Sequence, residues 1–229
     1  MAPTLSLILA LLLIFIATDA ATITVLNKCS YTVWPGATPL GSGTKLSPGQ
    51  SSSFIAPPGT SSGRIWARTG CNFDANGRGS CTTGDCGGVL MCKSGGKPPA
   101  SLAEYTLGTG TAHDFYDISL VDGFNVPVSI APTLGPTHGS CRTITCSTDI
   151  NAQCPSELKV DGGCLSACLK FGSAQYCCPS PSTPETCPPT DYSRFFKRLC
   201  PDAYSYAYDD KSSTFTCPPG TNYLVTFCP

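Results

Sequence analysis

Short segments in which hydrophobic and polar residues alternate recur along the chain. In residues 21–27 (ATITVLN), Ile23 and Val25 fall on one face with the period of two that a half-buried β-strand shows. Similar patterns predict strands over 31–34, 52–56, 64–68, 114–120, 124–130, 213–217 and 223–227. Pro35 and Gly36 are expected to end the second strand. Many short strands separated by Gly, Pro and Ser turns predict a β-sandwich or barrel.

Two cysteine-rich stretches interrupt these strands. Residues 71–99 are rich in glycine and hold four cysteines, which indicates a small disulfide-stapled loop or hairpin. Residues 147–200 hold seven cysteines and the best helix candidates. We predict a helix over 191–199, capped by Asp191 and stopped by Pro201. Cys164 and Cys168 are four apart, so they would share one face of a second helix.

The organisation that follows is a β-sandwich core with two smaller lobes. The core comprises residues 21–70, 100–146 and 201–229, the disulfide-stapled lobe residues 71–99, and the helical lobe residues 147–200. Residues 1–20 form an apolar leader, with Thr18 and Ala20 at the −3 and −1 positions of a signal-peptide cleavage site. We predict cleavage after Ala20 and secretion; the alternative is a signal anchor that stays attached.

Composition narrows the function classes. The chain has fourteen basic and fifteen acidic residues, and loss of Asp19 with the leader would make the net charge zero. A chain with no net charge lacks the excess of basic residues that would attract nucleic acid or an anionic membrane surface. In an oxidising compartment, sixteen cysteines predict eight disulfides. The alternative, zinc binding, would need paired C-x2-C knuckles that the chain lacks, so we expect no metal and no cofactor. Spacing alone leaves the pairing open.

One run of sequence resembles a known family. Residues 77–92 read GRGSCTTGDCGGVLMC, which is similar to the signature of the thaumatin family. Further similar segments are ATITVLNKC (21–29), GRIWARTGCNFD (63–74), LAEYTL (102–107), DGFNVP (122–127), YSRFFKRLCPDAYSY (192–206) and FCP (227–229). The resemblance therefore covers the whole chain after the leader.

The resemblance implies a disulfide pairing and a mainly β fold. The implied pairs are Cys29–Cys228, Cys71–Cys81, Cys86–Cys92, Cys141–Cys217, Cys146–Cys200, Cys154–Cys164, Cys168–Cys177 and Cys178–Cys187. The implied fold is a flattened antiparallel β-sandwich with two disulfide-rich lobes. Proteins similar to this are thaumatin-type pathogenesis-related plant defence proteins. Many are antifungal, many bind β-1,3-glucan, some hydrolyse it weakly and several are allergens.

The resemblance also implies an acidic cleft between the sandwich and the helical lobe. Its positions correspond to Arg64, Glu104, Asp117, Asp122 and Asp202, with Asp209 and Asp210 as alternatives to Asp202. We expect this cleft to bind β-1,3-glucan of fungal cell walls, because carboxylates and an arginine can hydrogen-bond sugar hydroxyls. The aromatic residues Phe115, Tyr116 and Phe124 could stack on sugar rings, but we expect each to belong to the sandwich core.

Other functions stay open at this point. Two carboxylates could hydrolyse a glycosidic bond, with Glu104 as general acid and Asp117 or Asp122 as its partner. The cluster could also be only a structural ion-pair network. Inhibition of a microbial xylanase or protease is a further hypothesis, with residues 133–140 (TLGPTHGS) as the inhibitory loop. Membrane disruption is disfavoured by the absence of net positive charge.

Localisation and assembly follow from the same resemblance. Similar proteins sent to the vacuole commonly carry a C-terminal propeptide, whereas this sequence stops at Pro229. We therefore expect the apoplast or extracellular space, with no stable membrane span, and a monomer.

Overall fold

The computed structural model describes residues 20–133 and 139–229. The predicted leader lies outside them except for Ala20. The strands are β1 (Ala21–Asn27), β2 (Trp34–Thr38), β3 (Ser51–Ala56), β4 (Gly63–Arg68), β5 (Asn72–Phe73), β6 (Gly79–Ser80), β7 (Leu102–Thr106), β8 (Asp114–Ser119), β9 (Val128–Pro132), β10 (Ile144–Cys146), β11 (Lys159–Val160), β12 (Gly163–Cys164), β13 (Phe215–Cys217) and β14 (Tyr223–Phe227). The α-helices are α1 (Ala167–Phe171), α2 (Ala174–Cys177), α3 (Asp191–Leu199) and α4 (Asp210–Ser213), and a 3₁₀ turn covers Asn151–Gln153.

Two five-stranded sheets form the body of the protein. Sheet I has the strand order β10-β9-β14-β1-β3, and sheet II has the order β13-β8-β7-β4-β2. Neighbouring strands are antiparallel except β1 and β14, which run parallel. The mainly β fold predicted from the sequence is confirmed.

The core lies between the inner faces of the two sheets. Ile23 and Val25 of β1 pack in one hydrophobic cluster with Ile65 of β4 and with Tyr116 and Ile118 of β8, all at most 1% exposed. These residues recur every second position, as strands with one buried face require. Burial of each large apolar side chain contributes roughly 1.5–3 kcal/mol.

Eight disulfides cross-link the described residues, and no cysteine there is free. They join the same pairs that the resemblance implies. Cys29–Cys228 ties residues 199 positions apart, so the strand β1 at the start of the sandwich is linked to β14 at its end. A native disulfide of this kind contributes roughly 2–4 kcal/mol to the free energy of unfolding.

The segment 71–99 covers part of the outer face of sheet II. The indole nitrogen of Trp66 donates to the carbonyl of Gly84 at 2.8 Å. The fully buried guanidinium of Arg68 donates to the carbonyls of Val89 at 2.9 Å and Leu90 at 2.7 Å. Burial lowers the pKa of Arg68 to about 10, so the group is still a cation at neutral pH. Both side chains fasten the 71–99 segment onto the sheet.

The second predicted strand was wrong in its position. β2 starts at Trp34 and continues through Pro35 and Gly36 to Thr38, whereas the strand was expected to end before Pro35. Because β2 is the edge strand of sheet II, one of its sides has no neighbour to which Pro35 would have to donate. A side chain at position 36 would collide with the ring of Trp66, so glycine is required there.

The strand predicted over 124–130 was also wrong at its start. β9 begins at Val128 because Asn125 makes side-chain hydrogen bonds instead of ladder bonds: its amide donates to Ala67 O at 2.8 Å, and its Oδ1 accepts from Ser101 N at 3.0 Å. β7, over Leu102–Thr106, was not predicted as a strand at all.

The helical predictions gave a mixed result. α3 covers Asp191–Leu199 as predicted, but its N-terminal cap is Thr190, whose hydroxyl accepts from the amide of Ser193. The helix expected to carry Cys164 and Cys168 does not exist. Cys164 lies in β12, whose backbone pairs with Phe124, and Cys168 lies in α1.

Candidate functional site

The outer face of sheet II carries a row of charged side chains where the 71–99 segment no longer covers it. Arg64 of β4 lies opposite Glu104 of β7, and Glu104 lies opposite Asp117 of β8. Residues directly opposite each other in neighbouring strands project from the same face, with Cβ atoms about 5 Å apart. Three strands therefore bring residues that are 40 and 13 positions apart in sequence into one row, called here the acid row.

Arg64 and Glu104 form an ion pair within this row. Arg64 Nε lies 2.7 Å from Glu104 Oε1, and the arginine is about half exposed. Burial raises the pKa of Glu104, while the nearby charge and hydrogen bond of Arg64 oppose this shift. The arginine therefore favours the ionised form of a carboxyl group whose ionisation burial disfavours.

Asp117 has a strongly raised pKa. Burial and, next to it, the charge of Glu104 raise this pKa to about 8, although the charge of Arg64 opposes both effects. Its Oδ1 atom is buried and has no hydrogen-bond partner among the described residues. Asp117 is thus mostly protonated at neutral pH, and it can donate a hydrogen bond.

A cavity of about 330 Å³ lies along one side of the acid row. Sheet II and the turn after β8 contribute Leu102, Ser119, Val121 and Asp122 to its lining, and Tyr204 and Ala207 complete it. Asp122 is placed by the turn over Val121–Gly123, in which Gly123 N donates to Leu120 O and Gly123 has a φ of 81°. Burial raises the pKa of Asp122, and the charge of Arg64 opposes the shift.

Tyr204 is a wall residue to which the sequence analysis assigned no role. Its backbone pairs with the end of β8, since Leu120 N donates to Tyr204 O at 2.9 Å and Tyr204 N donates to Ile118 O at 2.8 Å. Its hydroxyl donates to Asp210 at 3.0 Å. Tyr204 lies in the segment CPDAYSY, which carried part of the family resemblance. That resemblance was the signal in the sequence that could have pointed to it.

The structure does not bring Asp202 into this cavity. Asp202 instead binds the guanidinium of Arg142 through both oxygens, at 2.6 and 3.1 Å. Of the two alternatives, Asp209 pairs with Lys197 at 3.1 Å, while Asp210 bonds the wall residue Tyr204. Asp210 is also the one whose charge raises the pKa of Asp117. Four of the five expected residues therefore line the cavity, namely Arg64, Glu104, Asp117 and Asp122. Asp210 is linked to it through the hydroxyl of Tyr204.

The aromatic candidates separate into two groups. Tyr116 and Phe124 are buried in the core, as expected. Phe115 was expected in the core as well, but it is 49% exposed, because the alternation of β8 turns it to the outer face of sheet II. Most of the proposed inhibitory loop, 134–138 of 133–140, lies outside the described residues.

Within residues 20–133 and 139–229, no cluster of three His, Cys, Asp or Glu side chains is arranged to hold a metal ion. No helix in these ranges has the length and hydrophobicity needed to cross a bilayer. Chemically, the acid row combines a cation, a carboxylate paired with it and a protonated carboxyl group beside an open cavity. It can both donate hydrogen bonds to an uncharged polar ligand and accept them.

Comparisons with known proteins agree with the disulfide pattern and the fold. A pathogenesis-related thaumatin-like protein of Cryptomeria japonica is 58% identical over 91% of this chain and 88% of its own length. An alpha-amylase/trypsin inhibitor of Zea mays is 54% identical over 91% of this chain and its full length. The solved structure of a thaumatin-like xylanase inhibitor superposes with a TM-score of 0.50 at 25% identity, covering 90% of this chain and 99% of that one. The sequence profile of the Thaumatin family matches residues 27–229, and the chain belongs to that family.

Proposed function

We propose that this chain is a secreted plant defence protein that binds β-1,3-glucan of fungal cell walls in the cavity beside the acid row. The pathogenesis-related relative supports the defence role. Polar groups gathered beside an open cavity of about 330 Å³ support a ligand of small-molecule or oligosaccharide size. Secretion to the extracellular space, by cleavage after Ala20, is part of the proposal.

The observation that carries the proposal is the geometry of the acid row: the Arg64–Glu104 ion pair lies beside a buried Asp117 oxygen that has no partner among the described residues, and all three line an open cavity. A sugar hydroxyl is both a donor and an acceptor, so its best partners are a donor and an acceptor placed side by side. The protonated Asp117 supplies a donor next to the carboxylate of Glu104, and Arg64 supplies further donors. An uncharged polysaccharide fits this arrangement better than a nucleic acid or an anionic surface does.

The test is sedimentation of the purified protein with insoluble β-1,3-glucan, with reducing sugar measured in the supernatant. We expect the wild type to sediment with the glucan and to release no sugar. The double variant Arg64→Met/Glu104→Met keeps the two side-chain stems and the net charge but loses the polar groups, and we expect it to stay in solution. A wild type that stays in solution would overturn the proposal.

Sugar release would instead identify a weak endo-β-1,3-glucanase. Glycoside hydrolysis needs one protonated and one ionised carboxyl group on either side of the glycosidic bond. Asp117, with its pKa of about 8, meets the requirement for the acid, a role that the sequence analysis gave to Glu104. Loss of sugar release in both Glu104→Gln and Asp117→Asn would assign the reaction to this pair.

Inhibition of a microbial hydrolase is the second candidate function. It is supported by the two relatives whose names describe inhibitors, one of alpha-amylase and trypsin and one of xylanase. Assays of the three enzyme activities with and without this protein test it. Inhibition that survives Arg64→Met/Glu104→Met but is lost when residues 133–140 are replaced would place the inhibitory surface on that loop.

A further inference from the structure

A second cavity, of about 210 Å³, lies on the other side of the acid row. It shares Arg64, Glu104 and Asp117 with the first cavity and is otherwise lined by Ser62, Gly63, Tyr105, Thr106 and Phe115. The acid row is therefore a boundary between two cavities rather than the end of one.

The register of sheet II explains this arrangement. Thr106 lies opposite Phe115, and each is two residues along its strand from the acid row. On the far side of Phe115 lies Thr216 of β13, and Ser62 N donates to Thr106 Oγ1 at 3.4 Å. Two residues along a strand correspond to about 6.7 Å. The next outward row of side chains is thus an aromatic ring flanked by hydroxyl groups.

Phe115 is the most informative member of this second row. Its neighbours Asp114 and Tyr116 are each 1% exposed, whereas Phe115 is 49% exposed. The 71–99 segment covers Trp66 and Arg68 at the other end of the outer face and does not line this cavity. A half-exposed aromatic ring next to hydroxyl groups is suited to a sugar ring, which presents an apolar C–H face and a polar rim.

We propose that the second cavity, which Phe115 lines, is a second sugar-binding subsite. The ligand is then a linear oligosaccharide that crosses the acid row along the strand direction. From Leu102 and Ser119, which line the first cavity, to Thr106 and Phe115, the three rows extend about 13 Å. This length exceeds one sugar ring. Phe115 stacks on one unit while the acid row bonds the hydroxyls of its neighbour. The inference rests on the proposed function and specifies its ligand as an extended chain.

The test is a calorimetric titration with β-1,3-linked gluco-oligosaccharides from the disaccharide to the hexasaccharide. For the wild type we expect affinity to rise with length until both cavities are filled. Phe115→Leu keeps an apolar side chain but removes the flat ring, and it should weaken hexasaccharide binding about tenfold while the disaccharide is unaffected. Phe115→Tyr keeps the ring and should behave as the wild type.

Phe171→Leu is the matched control. Phe171 lies in α1, lines neither cavity, and is 43% exposed, which is close to the exposure of Phe115. It should leave every affinity unchanged. Unfolding midpoints of all variants show whether they are folded.

The outcomes separate the two proposals. If no oligosaccharide binds to the wild type, the proposed function fails and this inference with it. If oligosaccharides bind but Phe115→Leu keeps the full gain of affinity with length, the second subsite is overturned and the proposed function stands.

Discussion

Two of the arginine–carboxylate groups in the described part of the chain differ in their geometry in an instructive way. Arg142 and Asp202 form a closed pair: both carboxylate oxygens accept from the guanidinium, at 2.6 and 3.1 Å, and the guanidinium lies 4.6 Å from the centre of the Phe215 ring. In the acid row, Arg64 binds Glu104 alone, and Asp117 next to it keeps a buried oxygen without a partner among the described residues.

This difference distinguishes a structural ion pair, whose hydrogen-bonding atoms all have partners, from a site that still has hydrogen-bonding groups available for a ligand. Asp202 has a partner for each oxygen, so a ligand would have to displace Arg142. Asp117 is protonated at a cost, since burial and the charge of Glu104 both oppose its ionisation. A ligand that accepts a hydrogen bond from the protonated Asp117 and also bonds the rest of the row would recover part of that cost. Perturbed carboxyl groups beside a cavity are typical of functional sites for this reason.

The largest expected effect comes from removing the polar groups of each arginine–carboxylate pair in turn. Arg64→Met/Glu104→Met should weaken oligosaccharide binding about a hundredfold, because several charge-assisted hydrogen bonds are lost. Arg142→Met/Asp202→Leu, the matched change in the closed pair, should change binding less than about twofold. Calorimetric titration of both variants measures this. Equal losses in the two would contradict the distinction drawn here.

The pH dependence of binding is the next effect in size. If the ligand needs the proton of Asp117, affinity falls as pH rises through the pKa of about 8, by about tenfold between pH 7 and pH 9. Asp117→Asn carries a permanent donor and should bind with nearly the same affinity over this range. Affinity that is flat with pH in the wild type would show that the proton takes no part.

Asp117 should also make stability depend on pH. Its pKa is raised from 3.8 to about 8 in the folded protein, so the folded state holds more protons than the unfolded state between these values. Stability is therefore present below about pH 4 and is lost as pH rises towards 8. Thermal unfolding followed from pH 4 to pH 8 should show a smaller decline in Asp117→Asn than in the wild type. Parallel curves would contradict the raised pKa.

The smallest effect is expected for Asp202→Asn. The pair with Arg142 is partly exposed, so its loss should cost about 1 kcal/mol and lower the unfolding midpoint by roughly 2–4 °C. Binding should stay within about twofold of the wild type. A large loss of binding with an unchanged midpoint would return Asp202 to the site.

The sequence predicted the strands that obey simple alternation, such as β1 and β14, and the helix α3, whose ends carry clear signals. It failed where a side chain distant in sequence decides the local structure. The ring of Trp66 packs where a side chain of residue 36 would lie, so Gly36 is part of β2 rather than its end, and the hydrogen bonds of Asn125 delay the start of β9. The same limit applied to the site. The resemblance pointed to Arg64, Glu104, Asp117 and Asp122. The strand register is needed to show that Phe115 faces outwards, and the hydrogen bonds to Arg142 are needed to show that Asp202 is bound elsewhere.

The most direct test of the central claim is an NMR titration of the Asp117 carboxyl carbon, with and without saturating β-1,3-gluco-oligosaccharide. The account predicts a pKa of about 8 in the free protein and a higher value with the ligand, because binding favours the protonated form. A carboxyl group that titrates near its ordinary value of 3.8, or a raised pKa that saturating ligand leaves unchanged, would contradict it.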